Sequence, residues 1–162
     1  MGPRLVSQDL CRTVRGIAVF VRYLRSQETI DIALGVLEAD SSAVRVGRPC
    51  RYVIRIANVS ERVWDVKLTL EISSSTPANP AVKPCARFGK HCSVPASRAT
   101  AIEFHYDWRS TVAVTVDQVA SLPDECWVGE IKALQPYIVS AILADHNGKQ
   151  LDKLEIYQEL KG

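Results

Sequence analysis

Apolar and polar side chains alternate along most of the chain from residue 29 onward. The alternation is clearest over 64–72, and it recurs over 30–36, 50–59 and 102–108. Because successive side chains of a strand point to opposite faces, a period of two predicts strands with one face on a core and the other in water. These segments therefore predict antiparallel strands.

The C-terminal part of the chain has the strongest turn signal. Two runs of strand-forming residues, 137–145 and 151–160, are separated by a turn that contains Asn147 and Gly148. An Asn-Gly pair suits the positive φ angles of a tight turn, so the two runs predict a β-hairpin.

The N-terminal segment has a longer period. Between residues 7 and 26, apolar side chains recur at spacings of three and four, which predicts an amphipathic helix. The helical stripe consists of Leu10, Val14, Ile17, Val21 and Leu24, with Arg15 and Arg22 at its rim. We expect this stripe to contact a protein partner or a second copy of the chain by burying its apolar face in a groove.

Two stretches lack alternation. Residues 73–80 are rich in Ser and Pro, and Pro84 and Pro95 bracket a segment that contains two cysteines, so irregular structure is expected there, with one short edge strand around 86–88. A loop is also expected around 122–129, which contains Trp127. The sequence thus predicts about seven strands.

An all-β fold follows from these elements. Short strands joined by polar turns, without helices between them, predict an antiparallel β-sandwich over residues 29–162, preceded by a helical segment over 1–28. The length of 162 residues suits a single core, and 47% hydrophobic with 23% charged residues is typical of a globular protein and excludes a disordered chain.

Charge and targeting signals limit the partners. The net charge of +2 is too balanced to predict nucleic-acid binding. The apolar run at 16–21 is too short to span a membrane, and no secretory cleavage site follows it, so no membrane partner is expected. This absence, with an odd count of five cysteines, favours a cytoplasmic location.

Several segments carry a resemblance to a known fold family. They are Val46–Pro49 before the strand at 50–59, the turn Asn58–Ser60, Val94–Ser97 before the strand at 98–108, and the terminal hairpin. In this arrangement the chain resembles immunoglobulin-like sandwiches, and among them the bacterial cell-adhesion-related (CARDB-like) modules. The resemblance implies an immunoglobulin-like sandwich over about 29–160 that binds proteins or glycans or acts as a spacer, without catalytic residues.

Two constellations suggest alternative functions. Trp127 lies outside the alternating runs, so it is the candidate for an exposed contact with a glycan. Cys85, His91 and Cys92 fall within eight residues and are the candidates for a zinc site or a Cys/His enzyme. Cys126 or His105 would complete the zinc site, but the CxxC spacing of zinc motifs is absent.

Charged residues suggest two further sites. Asp107, Asp117, Asp124 and Glu125 are candidates for calcium ligands if they gather at one end of the sandwich, and Arg45, Arg48, Arg51 and Arg55 are candidates for an anion-binding patch. The alternative for both sets is a solvated surface. Our leading interpretation is a non-enzymatic interaction or assembly module without a cofactor.

Overall fold

The computed structural model describes residues 11–14, 17–20, 31–74, 84–109, 112–129, 131 and 135–161. These residues form thirteen strands, and none of them lies in a helix that could cross a membrane. The strands are β1 (Cys11–Val14), β2 (Ile17–Phe20), β3 (Ile32–Ala39), β4 (Ala43–Arg45), β5 (Cys50–Asn58), β6 (Trp64–Ser74), β7 (Ala86–Val94), β8 (Arg98–Tyr106), β9 (Val112–Val116), β10 (Val119–Ser121), β11 (Glu125–Val128), β12 (Gln135–Asp145) and β13 (Gln150–Lys161).

The strands form two sheets that pack face to face. The first sheet has the order β1-β2-β3-β5-β8-β9-β10, and the second has the order β11-β7-β6-β12-β13-β4. All neighbouring strands are antiparallel except β13 and β4, which are parallel. The predicted all-β sandwich is therefore confirmed.

The core lies between the inner faces of the sheets. An aromatic row crosses it from Phe88 through Tyr106 and Trp108 to Tyr137, with ring centroids 4.8, 5.6 and 5.3 Å apart along the row. These residues come from β7, β8, the turn after β8, and β12, so the row joins both sheets. Separations of this size with tilted rings are favourable for aromatic pairs.

A buried hydrogen-bonded network supplements the apolar core. Trp108 Nε1 donates to the Tyr52 hydroxyl at 3.2 Å, and that hydroxyl donates to Oε1 of Gln158. Gln158 Nε2 donates to the Ser41 carbonyl oxygen at 2.5 Å. Because Tyr52 lies in the first sheet and Gln158 in the second, the network connects the two layers.

The predicted N-terminal helix is wrong over 11–14 and 17–20, which are strands. β1 and β2 form a hairpin in which Val14 lies opposite Ile17, and β2 pairs with β3, with Val19 opposite Val36. β-Branched residues lose side-chain freedom in a helix, and the free edge of β3 offers backbone partners to a strand. The other stripe and rim residues are Leu10, Arg15, Val21, Arg22 and Leu24, and they lie outside the described residues, as does the boundary between 28 and 29.

Two predicted irregular segments are also strands. β7 covers nine residues and lies between β11 and β6, so it is neither short nor at an edge. Three further strands, β9 to β11, occupy the region between Trp108 and β12, and Trp127 belongs to β11 rather than to a loop. Pro84 and Pro95 lie just outside β7, where they do not interrupt its hydrogen bonds.

Candidate functional site

The outer face of the second sheet has an exposed tryptophan at one edge. Trp127 lies on the edge strand β11 directly opposite Arg87 of β7, so the two side chains share this face, and Trp127 is 53% exposed. Its indole lies against the backbone of Gly129, where an added Cβ would come within 2.9 Å of Trp127 Cη2. Glycine therefore allows the ring to lie flat, with its other side open to solvent.

A row of polar side chains continues from Trp127 across the sheet. Arg87 Nε contacts Glu71 Oε2 at 3.0 Å, and Glu71 lies opposite Ser140. The Ser140 hydroxyl donates to Glu155 Oε2 at 3.2 Å. The row thus places an aromatic ring and a paired guanidinium and carboxylate on three adjacent strands.

Two more ion pairs lie beside this row. Lys67 Nζ is 3.0 Å from Glu125 Oε2, and Lys153 Nζ is 3.3 Å from Glu155 Oε2. The Lys67 side chain passes over Gly89, where an added Cβ would lie 2.8 Å from Lys67 Cε. Exposed pairs of this kind contribute little to stability. Together with the pair of Arg87 and Glu71, they give three cations and three anions, so the charges in these contacts balance.

On the opposite side of the face, apolar side chains lie among the charged residues of β13. Tyr157 of β13 is 70% exposed and lies directly opposite Ile138 of β12. Ile142 lies on the same face, opposite Lys153. β11 and β13 are four strand spacings apart, which is about 19 Å. Tyr157 and Trp127 therefore mark the two sides of one broad face.

The predicted site residues have different positions from those expected. Val14 and Ile17 are backbone register partners in β1 and β2 instead of lying on successive turns of a helix. Trp127 is exposed as expected, and its role in binding a ligand stays a prediction. Tyr157 is not among the predicted site residues, although its position in the alternation of β13, between buried Ile156 and Gln158, indicates an outward aromatic side chain.

The proposed zinc and Cys/His residues do not come together. Cys85 directly precedes β7, and Cys92 lies near the other end of this strand. Seven residues of extended chain separate the two cysteines by about 23 Å. Among the described residues, no three His, Cys, Asp or Glu side chains are grouped so that they could hold a metal. Burial raises the pKa of Cys92 to about 11, so its thiol stays protonated at neutral pH and is a poor nucleophile.

The acidic residues are also dispersed. Asp124 accepts the His91 backbone N–H at 2.7 Å, a contact that lowers the pKa of this carboxyl, while Glu125 pairs with Lys67. Asp117 accepts the Ala101 backbone N–H at 3.1 Å on the other sheet. These carboxylates therefore satisfy local backbone and side-chain partners and do not converge on one calcium site.

Comparison with known proteins supports the fold alone. No known family profile matches the chain, and no curated protein matches its sequence. The alkylpurine DNA glycosylase AlkC of Pseudomonas fluorescens, solved with DNA containing an abasic-site analog, matches 83% of this chain with a TM-score of 0.51 and 11% identity. The present chain spans 32% of that glycosylase.

Two other solved structures match the chain at lower TM-scores. The CARDB domain of a Pyrococcus furiosus protein, solved with di-metal ions, matches 80% of this chain and 84% of its own length, with a TM-score of 0.41 and 10% identity. A cycloisomaltooligosaccharide glucanotransferase of Paenibacillus sp. matches 78% of this chain but only 13% of its own, with a TM-score of 0.47 and 9% identity.

Proposed function

We propose that the protein is a non-enzymatic assembly module that associates with a second copy of itself through the outer face of the second sheet. The observation that carries this proposal is the exposed Tyr157 beside the half-buried Ile138, on a face whose charges are balanced. Tyrosine is enriched among the residues that dominate binding energy in protein interfaces. A tyrosine that is 70% exposed next to an isoleucine is a suitable centre for such a contact.

The balance of charge favours a second copy as the partner. Arg87, Lys67 and Lys153 are each within ion-pair distance of a glutamate on the same face. Two identical faces can therefore approach without the like-charge repulsion that a strongly basic or acidic face would produce. In a twofold dimer the same patch is used on both subunits, so a self-compatible surface is required.

The size of the face is compatible with a weak dimer. The four long strands β7, β6, β12 and β13 span about 14 Å between the outermost axes over a length of about 30 Å, and the four residues of β11 add a strip about 13 Å long, which gives about 500 Å² for each copy. Stable interfaces typically bury about 800 Å² on each partner, and the lower end of the range is about 600 Å². We therefore expect a dimer that dissociates on dilution.

Sedimentation equilibrium over a range of concentrations tests this proposal. The wild-type protein should form dimers at high concentration, and Tyr157→Ser should remain monomeric. Val119→Ser is the matched control, because Val119 is a similarly exposed apolar side chain, 68% exposed, on β10 of the other sheet. A wild-type protein that stays monomeric, or a Tyr157→Ser variant that dimerises as the wild type does, would contradict self-association through this face.

A second candidate function is glycan binding at Trp127. The observation in its favour is the row of Trp127, Arg87 and Glu71, which puts a flat aromatic ring beside a hydrogen-bonding guanidinium and carboxylate. A sugar ring stacks on the apolar face of an indole while its hydroxyl groups bond to polar neighbours. On a glycan panel, Trp127→Ala should abolish binding and Tyr157→Ala should retain it; equal binding by Trp127→Ala and wild type would exclude this function.

A further inference from the structure

The turn between β12 and β13 exposes an asparagine next to a glycine. Asn147 and Gly148 follow one another in this turn, and both are exposed. Gly148 has a φ of 83°, and an added Cβ there would meet no atom within 4 Å beyond the adjacent residues. The space around Gly148 is therefore open, and glycine has no side chain that would hinder a reaction at its backbone nitrogen.

Three of the hydrogen bonds that close this turn have Asp145 as their acceptor. Its Oδ1 accepts the backbone N–H groups of Asn147 and Lys149, each at 2.9 Å. Its carbonyl oxygen accepts the Gly148 N–H at 3.0 Å. In the closed turn the Gly148 nitrogen is thus engaged in a hydrogen bond, and the Asp145 carboxylate holds the residues on both sides of it.

We propose that Asn147 is a site of spontaneous deamidation, and that the Asp145 carboxylate slows the reaction by holding the turn closed. When the turn opens, the Gly148 nitrogen attacks Asn147 Cγ and forms a C–N bond. The side-chain nitrogen leaves as ammonia, with the proton that the Gly148 nitrogen gives up. One water molecule then opens the cyclic imide at either of its carbonyl groups, which gives aspartate or isoaspartate.

The other two asparagines of the chain lack this combination of features. Asn58 is 2% exposed, and its Nδ2 donates to three backbone carbonyl oxygens at 2.8, 3.1 and 3.0 Å. The residue after it, Val59, has a branched side chain beside the attacking nitrogen. Asn79 precedes Pro80, whose nitrogen has no proton to lose. We therefore expect the reaction at Asn147 alone.

Deamidation changes both the charge and the backbone of the turn. The new carboxylate lowers the net charge of +2 by one, and it lies in the same turn as Asp145. In isoaspartate the backbone also runs through the former side chain, which lengthens the turn by a methylene group. Because the length of a turn fixes the register of its hairpin, isoaspartate should loosen the adjacent ends of β12 and β13.

Peptide mapping by mass spectrometry tests the proposal. The folded full-length chain is kept in warm, mildly alkaline buffer, and samples are digested at intervals to locate the exchange of an amide NH₂ for a hydroxyl. Methylation by an isoaspartyl methyltransferase identifies isoaspartate. We expect both products at Asn147, and neither in Asn147→Gln. The proposal is overturned if Asn147 stays intact in the folded chain while it reacts in urea, or if Asn58 or Asn79 reacts as fast.

Two substitutions test the role of Asp145. Asp145→Ala removes both hydrogen bonds to Oδ1, so it should raise the rate at Asn147 at least about fivefold, the factor expected for the net contribution of one hydrogen bond. Asp65→Ala is the matched control on β6, where the carboxylate accepts the Ser93 hydroxyl, and it should react as the wild type does.

A folded Asp145→Ala chain that reacts no faster than the wild type would overturn the role of Asp145. If that variant does not fold, the wild-type chain decides the question. Asn147 should then react more slowly in the folded chain than in urea, and equal rates would show that the closed turn gives no protection.

Discussion

The carboxylate of Asp152 accepts the backbone N–H of Leu34, with 2.9 Å between Oδ2 and the nitrogen. Leu34 lies in β3 of the first sheet, and Asp152 lies in β13 of the second and is 3% exposed. The described pairs of β2 and β3 run from Val36 to Glu38, and the register of β3 against β5 shifts between Leu34 and Val36. Asp152 therefore supplies a partner to the β3 backbone beside this shift, and it ties the two sheets together.

Asp152→Ala should lower the free energy of unfolding by about 1–3 kcal/mol, because it leaves the N–H of Leu34 buried without its partner. Asp152→Asn should lower the free energy of unfolding by less, since an amide oxygen can still accept this hydrogen bond. Urea denaturation measures both effects. Glu159→Ala is the control on the same strand, and an Asp152→Ala variant as stable as that control would show that the bond does not contribute.

Tyr52→Phe should also be destabilising by about 1–3 kcal/mol, because the Trp108 indole N–H and the Gln158 amide oxygen lose a buried partner. Tyr157→Phe removes the same hydroxyl group from an exposed side chain and should leave stability unchanged. Thermal unfolding of the two variants gives the comparison. Equal melting temperatures would mean that the buried network is energetically neutral.

Alkaline pH should destabilise the fold. Burial raises the pKa of Cys92 from its ordinary value of 9.0 to about 11, and it also raises the pKa of Tyr52 and of Tyr106. The unfolded chain then loses these protons at lower pH than the folded chain does, so stability is full below pH 9 and falls as the pH rises towards 11.

Melting temperatures measured from pH 9 to pH 11 test this loss of stability. Part of the decrease in melting temperature should disappear in Cys92→Ser, which lacks the thiol. Cys126→Ser, a substitution at an exposed cysteine, should follow the wild-type curve. A wild-type melting temperature that is constant from pH 9 to 11 would be inconsistent with ionisable groups held protonated in the core.

Gly129→Ala should displace the Trp127 indole, since the new Cβ would lie 2.9 Å from the ring and 3.2 Å from the Cys85 carbonyl oxygen. The NMR signal of the Trp127 indole N–H, identified by its loss in Trp127→Phe, should shift, and that of Trp108 should not. Gly35→Ala is the control, because its Cβ would meet only Arg55 O at 3.8 Å. An unshifted Trp127 signal in Gly129→Ala would show that the ring does not depend on this glycine.

The sequence predicts the central strands well because their patterns have a single interpretation. In β6 and β13 a buried face alternates with an exposed one, and the predicted hairpin is present. In its turn only Gly148 has a positive φ, of 83°, and Asn147 does not. The N-terminal pattern is ambiguous. Val14 and Ile17 are register partners of β1 and β2, so a spacing of three, which places two residues on one side of a helix, also occurs between paired strand residues.

β7 and β11 were missed for other physical reasons. In β7 the buried Gly89 sits among outward positions, because the Lys67 side chain covers it, so the apolar alternation is interrupted. β11 is an edge strand in which Cys126 and Trp127 are both exposed, and such a strand has no buried face to leave a pattern.

The candidate sites depend on contacts between distant parts of the chain. Arg45 and Arg48 are recognisable as a basic pair in the sequence. The contact of the Arg109 guanidinium with Gly47, and the hydrogen bond from the Gly47 N–H to the Asp107 carbonyl oxygen at 2.7 Å, join segments that are distant in the chain. The ion pair of Arg87 and Glu71 likewise depends on the register of β6 against β7. The alternation of apolar and polar residues within one strand predicts neither the register between strands nor the contacts between distant loops.

The internal ion pairs of the outer face also affect the kinetics of any association there. Every cation in these contacts already faces an anion, so the face projects little electric field beyond the roughly 8 Å that physiological salt leaves unscreened. An approaching molecule is then not steered from a distance, and it must find the correct orientation through repeated random encounters. Added salt should therefore hardly change the association rate at this face.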